Sequence, residues 1–261
     1  MYDEFARIYD TLMQDVPYKK WLLRINEWIK AFGISKPNGS DEKNLILDLG
    51  CGTGTFTEMM ARLGYDMIGI DSSLEMLNVA MAKKDESGSK ILYLCQDMRK
   101  MELYSTVGTI ICICDSLNYL LSEKDILATF GQVKNYLYPG GIFIFDFNTK
   151  YKYEAVIGHA TIAENHEDCA FVWENYYHPD ACLNEYDLTF FIKGKDGRFD
   201  RYQETHVQKG YELGEIRCLL KKAGLDIITI IDDDSEKAPT DESERIVIVA
   251  KSAYKEFPRV L

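Results

Sequence analysis

The chain has 261 residues, 46% of them hydrophobic, and a formal net charge of −12. That length and apolar content suffice for one buried core with an elaboration, while the acidic balance and the absence of any lysine- or arginine-rich run argue against a protein that grips nucleic acid by its phosphates. No apolar run approaches bilayer length, the N-terminus is too polar for a signal peptide, and seven cysteines without a C-x-x-C pair read as reduced thiols of a cytoplasmic protein.

Residues 2–33 read as helical, because Tyr18, Trp21, Leu22, Ile25, Trp28, Ile29 and Phe32 recur at three and four and share one face. Lys36-Pro37-Asn38-Gly39-Ser40 is a linker. The stretch Leu45-Ile46-Leu47-Asp48-Leu49-Gly50-Cys51-Gly52-Thr53-Gly54 follows: one buried strand with a carboxylate near its end, then three glycines on alternate positions, then a helix-compatible segment. Glycines so placed let the chain turn with positive φ and let a ligand lie against bare backbone. A second strand ends in Asp71, about twenty residues after the first glycine, where a ribose diol would sit. A third, 91–95, ends in Gln96-Asp97-Met98. The fourth, 109–114, ends in Asp115-Ser116-Leu117-Asn118, and the fifth, 141–146, follows a Pro139-Gly140-Gly141 turn. Alternating strands and helices predict a parallel sheet. From about residue 160 the period changes, and 170–174, 183–193 and 198–207 read as three antiparallel strands, the last two joined by the hairpin Gly194-Lys195-Asp196-Gly197. Residues 212–223 read as a helix capped by Gly224, and 225–231 with 245–250 close the sheet. The acidic loop between those last strands reads as a solvated connection.

A dinucleotide fingerprint spaces its glycines G-x-G-x-x-G. Here the third glycine comes one residue early, and Asp48 would repel a pyrophosphate while suiting a ligand with a cationic ammonium or sulfonium group. The pattern resembles motif I of the class I S-adenosylmethionine-dependent methyltransferases, and the resemblance runs through five motifs in order, each at a strand's carboxyl end. It implies an α/β, Rossmann-like, doubly wound sheet of seven strands, mostly parallel with an antiparallel last strand. It also implies S-adenosylmethionine as cofactor and S-adenosylhomocysteine as product. An N-terminal helical cap (1–36), a cofactor-binding core (37–158 and 209–261) and an antiparallel β insertion (159–208), serving as substrate lid or dimer contact, complete the expected organisation.

Residue by residue, the resemblance assigns the loop Gly50, Cys51, Gly52 and Gly54 to the cofactor, with Asp48 behind it and Asp71 and Ser72 at the second strand's end. Met76 matches a position that packs on adenine, and Asp97 the acceptor for the adenine N6 amino group, flanked by Gln96 and Met98. Asp115 and Asn118 close the set. Phe5-Ala6-Arg7-Ile8-Tyr9-Asp10 matches an F-A-x-x-Y-D cap in which Tyr9 reaches the cofactor's carboxylate end. Taken singly, Asp71 and Asp97 also read as helix N-caps and Met76 as an ordinary core residue. Position favours the ligand reading, because in open α/β sheets ligands collect at strand carboxyl ends.

Base-modifying amino-methyltransferases commonly carry an N-P-P-Y type motif after the fourth strand. Here Asp115-Ser116-Leu117-Asn118-Tyr119 has no proline, which turns the expectation toward methyl transfer to an amino or hydroxyl group of a small molecule. Such transfer is an in-line displacement that depends mainly on alignment in a water-poor site. His206, on a predicted strand, is the candidate general base for a protonated nucleophile. The other histidines match no standard metal site. Alternatives are a methyltransferase for tRNA or protein and a non-catalytic cofactor-binding module, and the insertion's edge suits a homodimer. The identity of the acceptor does not follow.

Overall fold

In the computed structural model, which describes residues 3–252, the N-terminal segment forms two helices rather than one, α1 (Asp3–Leu12) and α2 (Tyr18–Phe32). Pro17, at the N-cap of α2, has no N–H to continue a helix, so the chain breaks at residues 13–17. Tyr2 lies outside the described residues. Strands and helices then alternate: β1 (Leu45–Leu49), α3 (Thr55–Arg62), β2 (Asp66–Asp71), α4 (Leu74–Ser87), β3 (Leu92–Cys95), β4 (Val107–Cys112), α5 (Glu123–Tyr136) and β5 (Leu137–Asn148). After an insertion come α6 (Leu213–Ala223), β10 (Leu225–Asp232) and β11 (Arg245–Ser252). The expected Pro139-Gly140-Gly141 turn is absorbed into β5 as an irregularity, where the register with β4 jumps from Val107↔Leu137 to Thr109↔Ile142.

The seven strands run in the order β10-β11-β5-β4-β1-β2-β3, and β11 is antiparallel to both its neighbours. The order reverses between β1 and β4, so the crevice at their carboxyl ends is the switch point where such sheets hold ligands. Both faces are covered. Leu47, Leu49, Ile110, Phe143 and Phe145 pack under α5 and α6, while Ile46, Ile111, Ile142 and Ile144 pack under α2 and α3. β1 and β4 are therefore apolar almost throughout rather than alternating, as a parallel strand buried on both faces must be.

The insertion is a separate antiparallel sheet of four strands, β6 (Thr161–Asn165), β7 (Cys169–His178), β8 (Leu183–Lys193) and β9 (Phe199–Lys209). The unexpected one, β6, is mostly exposed, so it carries no apolar alternation by which to read it. One face of this sheet packs Phe171, Leu188 and Phe190 against Phe5, Ala6 and Ile8 of α1 and Met76 of α4. The cap and the insertion thus share a small core of their own above the main sheet.

Candidate active site

The glycine loop leaves β1 with three left-handed glycines, Gly50, Gly52 and Gly54, at φ of 72°, 54° and 73°. A side chain at Gly50 would strike Ser116 at 2.6 Å, and one at Gly54 would strike the Tyr93 hydroxyl at 2.4 Å. At Gly52 a Cβ would meet nothing within 4 Å. Two of the glycines let protein pack against the loop, and the middle one opens space in front of it. Gly50 and Cys51 donate their N–H groups to Ile70 O at 2.7 and 3.0 Å, which ties the loop to the end of β2.

Asp71, the last residue of β2, accepts from Gly52 N at 2.8 Å and from Ser73 N at 2.9 Å. Burial pushes its carboxyl above the ordinary carboxylate range, against the pull of those backbone donors. A carboxylate offers about four acceptor positions, so two bonds leave capacity toward the crevice that it lines. Asp48 lies behind the loop, 2% exposed, and accepts from Thr57 Oγ1 at 2.6 Å. Burial pushes it up to about 7 despite that bond.

In front of the loop is a cavity of about 1010 Å³. Tyr9, Gly50, Gly52, Asp71, Ser72, Met76, Gln96, Asp97, Met98, Asp115 and His206 all line it. Asp48, Cys51, Gly54 and Asn118 are not among its lining residues. Several lining side chains are already engaged. Asp97 accepts from Arg99 N at 2.9 Å and from its guanidinium at 2.7 Å, and Gln96 pairs with the backbone of Glu102. Asn118 is fully buried and works as a staple: its Nδ2 donates to Asn148 O at 2.9 Å and Lys209 O at 2.7 Å, and its Oδ1 accepts from Asn148 N.

Beyond β4 the chain passes through Cys114 and Asp115 at φ of 61° and 53°, a left-handed pair without glycine. Such backbone persists only where its surroundings over-determine it. Here Asp146 on β5 receives both amides, at 3.0 and 2.8 Å. Arg245 at the start of β11 bridges Asp146 and Asp115 at 3.0 and 2.7 Å, and Gln208 on β9 donates to the other Asp115 oxygen at 2.7 Å. Tyr153 donates to Gln208 Oε1 at 2.7 Å, and Lys152 reaches Asn148 Oδ1 at 3.1 Å. Burial and the neighbouring Arg245 charge hold the Lys152 ammonium below its ordinary value.

The roof comes from α1 and the insertion, through Phe5, Tyr9, Phe171, Trp173, Tyr186, Leu188 and His206. The His206 ring stacks on Tyr186 at 5.1 Å, with Phe5 at 5.7 Å and Tyr119 at 6.0 Å. The expected solvated loop also departs from its reading. Asp233 is 5% exposed, bonded to Trp21 Nε1 at 3.1 Å and paired with Arg24, so this loop is pinned to α2 beside the cavity.

A methyltransferase domain family matches residues 46–141. A methyltransferase-named protein of Geobacillus sp. (strain WCH70) is 34% identical over 96% of this chain and 99% of its own. An S-adenosylmethionine-dependent methyltransferase from Clostridium acetobutylicum ATCC 824 superposes on this chain with a TM-score of 0.84 at 31% identity, covering 97% of this chain and 99% of that one. The chain is a class I S-adenosylmethionine-dependent methyltransferase. The S-adenosylmethionine-bound amino pentose methyltransferase CalS10 of Micromonospora echinaspora shares the fold, with a TM-score of 0.72 at 15% identity, over 94% and 97% of the two chains.

The residues present in this methyltransferase fit its cofactor. An open positive-φ glycine faces a cavity that also holds a carboxylate at the end of β2 and the thioether of Met76. No helix among the described residues is long and apolar enough to cross a membrane. Sequence reasoning missed Tyr119, Lys152, Tyr153, Gln208 and Arg245, all lining the cavity. The insertion residues carried a usable signal. Alternation places Phe171 with Trp173, Tyr186 with Leu188, and Glu204, His206 and Gln208 on common faces. Nothing local marked Arg245, whose partners are 99 and 130 positions away.

Proposed function

We propose that this methyltransferase moves the methyl group to an amino or hydroxyl group of a compact metabolite. The observation that carries the reading is the enclosure: the open glycine of the cofactor loop and the aromatic roof around His206 line one cavity. On this reading Asp71 receives the ribose diol, Met76 packs on the adenine, and Tyr9 closes over the amino-acid end. The acceptor lies beneath the insertion, which acts as a substrate lid. Alignment in a site that excludes water supplies most of the rate, and His206 serves as base where the nucleophile carries a proton. The amino-sugar substrate of the structurally similar amino pentose methyltransferase suits a cavity of this kind. The chain's −12 charge favours a small acceptor over nucleic acid. Seven free cysteines agree with a cytoplasmic setting.

Calorimetric titration with S-adenosylhomocysteine, with NAD as control, tests the cofactor half. Micromolar binding is expected for the former alone. Transfer from tritiated S-adenosylmethionine to a panel of primary amines, amino sugars and catechols, with bulk tRNA alongside, tests the acceptor half. Transfer to tRNA and to no small molecule would overturn the reading.

A further inference from the structure

Tyr119 closes the short turn Ser116–Tyr119 after β4, next to the Asn118 staple. Its ring lines the cavity and is 46% exposed, whereas His206 is 8% and Glu204 9% exposed. The Tyr119 hydroxyl stands 3.3 Å from His206 Nδ1 and 2.9 Å from the Tyr186 hydroxyl. On the other side of the imidazole, Nε2 lies 3.3 Å from Glu204 Oε2. Glu204 and His206 are two apart on β9, so both side chains leave the same face. Glu204 is nearly buried beside this imidazole, and a buried carboxylate is costly unless a positive charge can form next to it.

We infer that Tyr119 is the catalytic group that takes the acceptor's proton, with His206 as the sink behind it and Glu204 as a positioning residue for the imidazole. The inference rests on the reading above that the acceptor presents an N–H or O–H. The arrangement selects the tautomer with the proton on Nε2, facing the carboxylate, and the lone pair on Nδ1, facing the phenol. As the neutral nucleophile bonds to the methyl carbon, the carbon–sulfur bond breaks and its electron pair returns to sulfur. The acceptor's proton passes to the Tyr119 oxygen while the Tyr119 proton passes to Nδ1. The positive charge that leaves sulfur reappears on an imidazolium beside Glu204. Among the described residues, Tyr186 on β8, Tyr9 on α1, Tyr153 after β5 and Asp115, which is paired with Arg245, also stand around the cluster.

The test uses the full chain and separates this proposal from the one it rests on. With the first panel acceptor that turns over, Tyr119→Phe should lower kcat on the order of 100-fold, leaving KM and S-adenosylhomocysteine affinity unchanged. His206→Asn should match that loss without adding to it. Glu204→Gln should cost less and move the acid limb of the kcat profile to lower pH, because the imidazolium loses its counter-charge. Independently of any acceptor, nitrogen NMR of histidine-labelled protein should show His206 protonated on Nε2, and Tyr119→Phe should shift its Nδ1 resonance. Wild-type turnover in Tyr119→Phe, or a His206 proton on Nδ1, would overturn the relay. Failure to bind S-adenosylhomocysteine would instead sink the functional reading, with the NMR result still deciding the relay.

Discussion

Gly52 and Asp48 show how differently two neighbours of one loop can act. Gly52 sits in left-handed backbone with empty space where a Cβ would be, so a side chain there costs little packing but protrudes into the cavity. Gly52→Val should fold, with a loss of about 1–2 kcal/mol from its unfavourable φ, and should weaken S-adenosylhomocysteine binding on the order of 100-fold or more by calorimetry, about 3 kcal/mol. Retained affinity would remove the loop from the cofactor site. Asp48 works through its charge. Its folded pKa of about 7 lies above its unfolded value, so the folded state holds the extra proton between about pH 4 and 7 and stability falls as pH rises through that range. Asp48→Asn keeps an acceptor for Thr57 and removes the charge. It should be more stable than wild type by about 1–3 kcal/mol at pH 8, with the advantage vanishing near pH 4, as urea denaturation at the two pH values would show.

Among the elements, α1 is the one whose attachment bears on access to the site. Its apolar face is buried with the insertion, but its C-terminal end is held by Asp10, which accepts from Thr53 Oγ1 at 2.7 Å and Thr55 Oγ1 at 2.9 Å and pairs with Lys83. Thr53 belongs to the glycine loop, Thr55 opens α3 directly behind it and Lys83 stands on α4, so the latch joins the roof to the loop. A half-exposed ion pair contributes about 0–1 kcal/mol to global stability, and local opening is governed by few such contacts. Asp10→Ala should therefore leave the denaturation midpoint almost unmoved. It should speed proteolysis at residues 13–17 and weaken S-adenosylhomocysteine roughly threefold to tenfold, a cost of about 1 kcal/mol. Unchanged proteolysis would show that apolar packing alone holds the helix down.

In the whole molecule, the two sheets are joined where β4, β5 and β9 end together, and Asn118 is the joint. Its three hydrogen bonds satisfy the amide and carbonyl of Asn148, both buried, and the partly buried carbonyl of Lys209. Asn118→Ala should cost about 2–4 kcal/mol in urea denaturation and displace Gln208 from Asp115; a loss below about 0.5 kcal/mol would mean that solvent replaces the staple. The parallel sheet, the glycine loop and the cofactor family were legible from residues 45–146, because each depends on periodicity and spacing within a short stretch. The hairpin of β8 and β9 was legible for the same reason. Local pattern did not disclose that Pro17 splits the cap, that exposed β6 adds a fourth strand, or that Asp233 is buried. The break at Pro17 is a local effect of its missing N–H, whereas β6 was decided by pairing with β7 and Asp233 by what packs against it. The polar clusters needed tertiary structure most. Glu204, His206, Tyr119 and Tyr186 converge from two strands and a turn up to 87 positions apart, and Arg245 meets Asp115 across 130. Sequence alone determined the strand-and-helix alternation and the left-handed glycine loop, since φ preference and hydrophobic period are properties of neighbouring residues. Only the fold decided which side chains line the cavity together, because that depends on which surfaces bury one another.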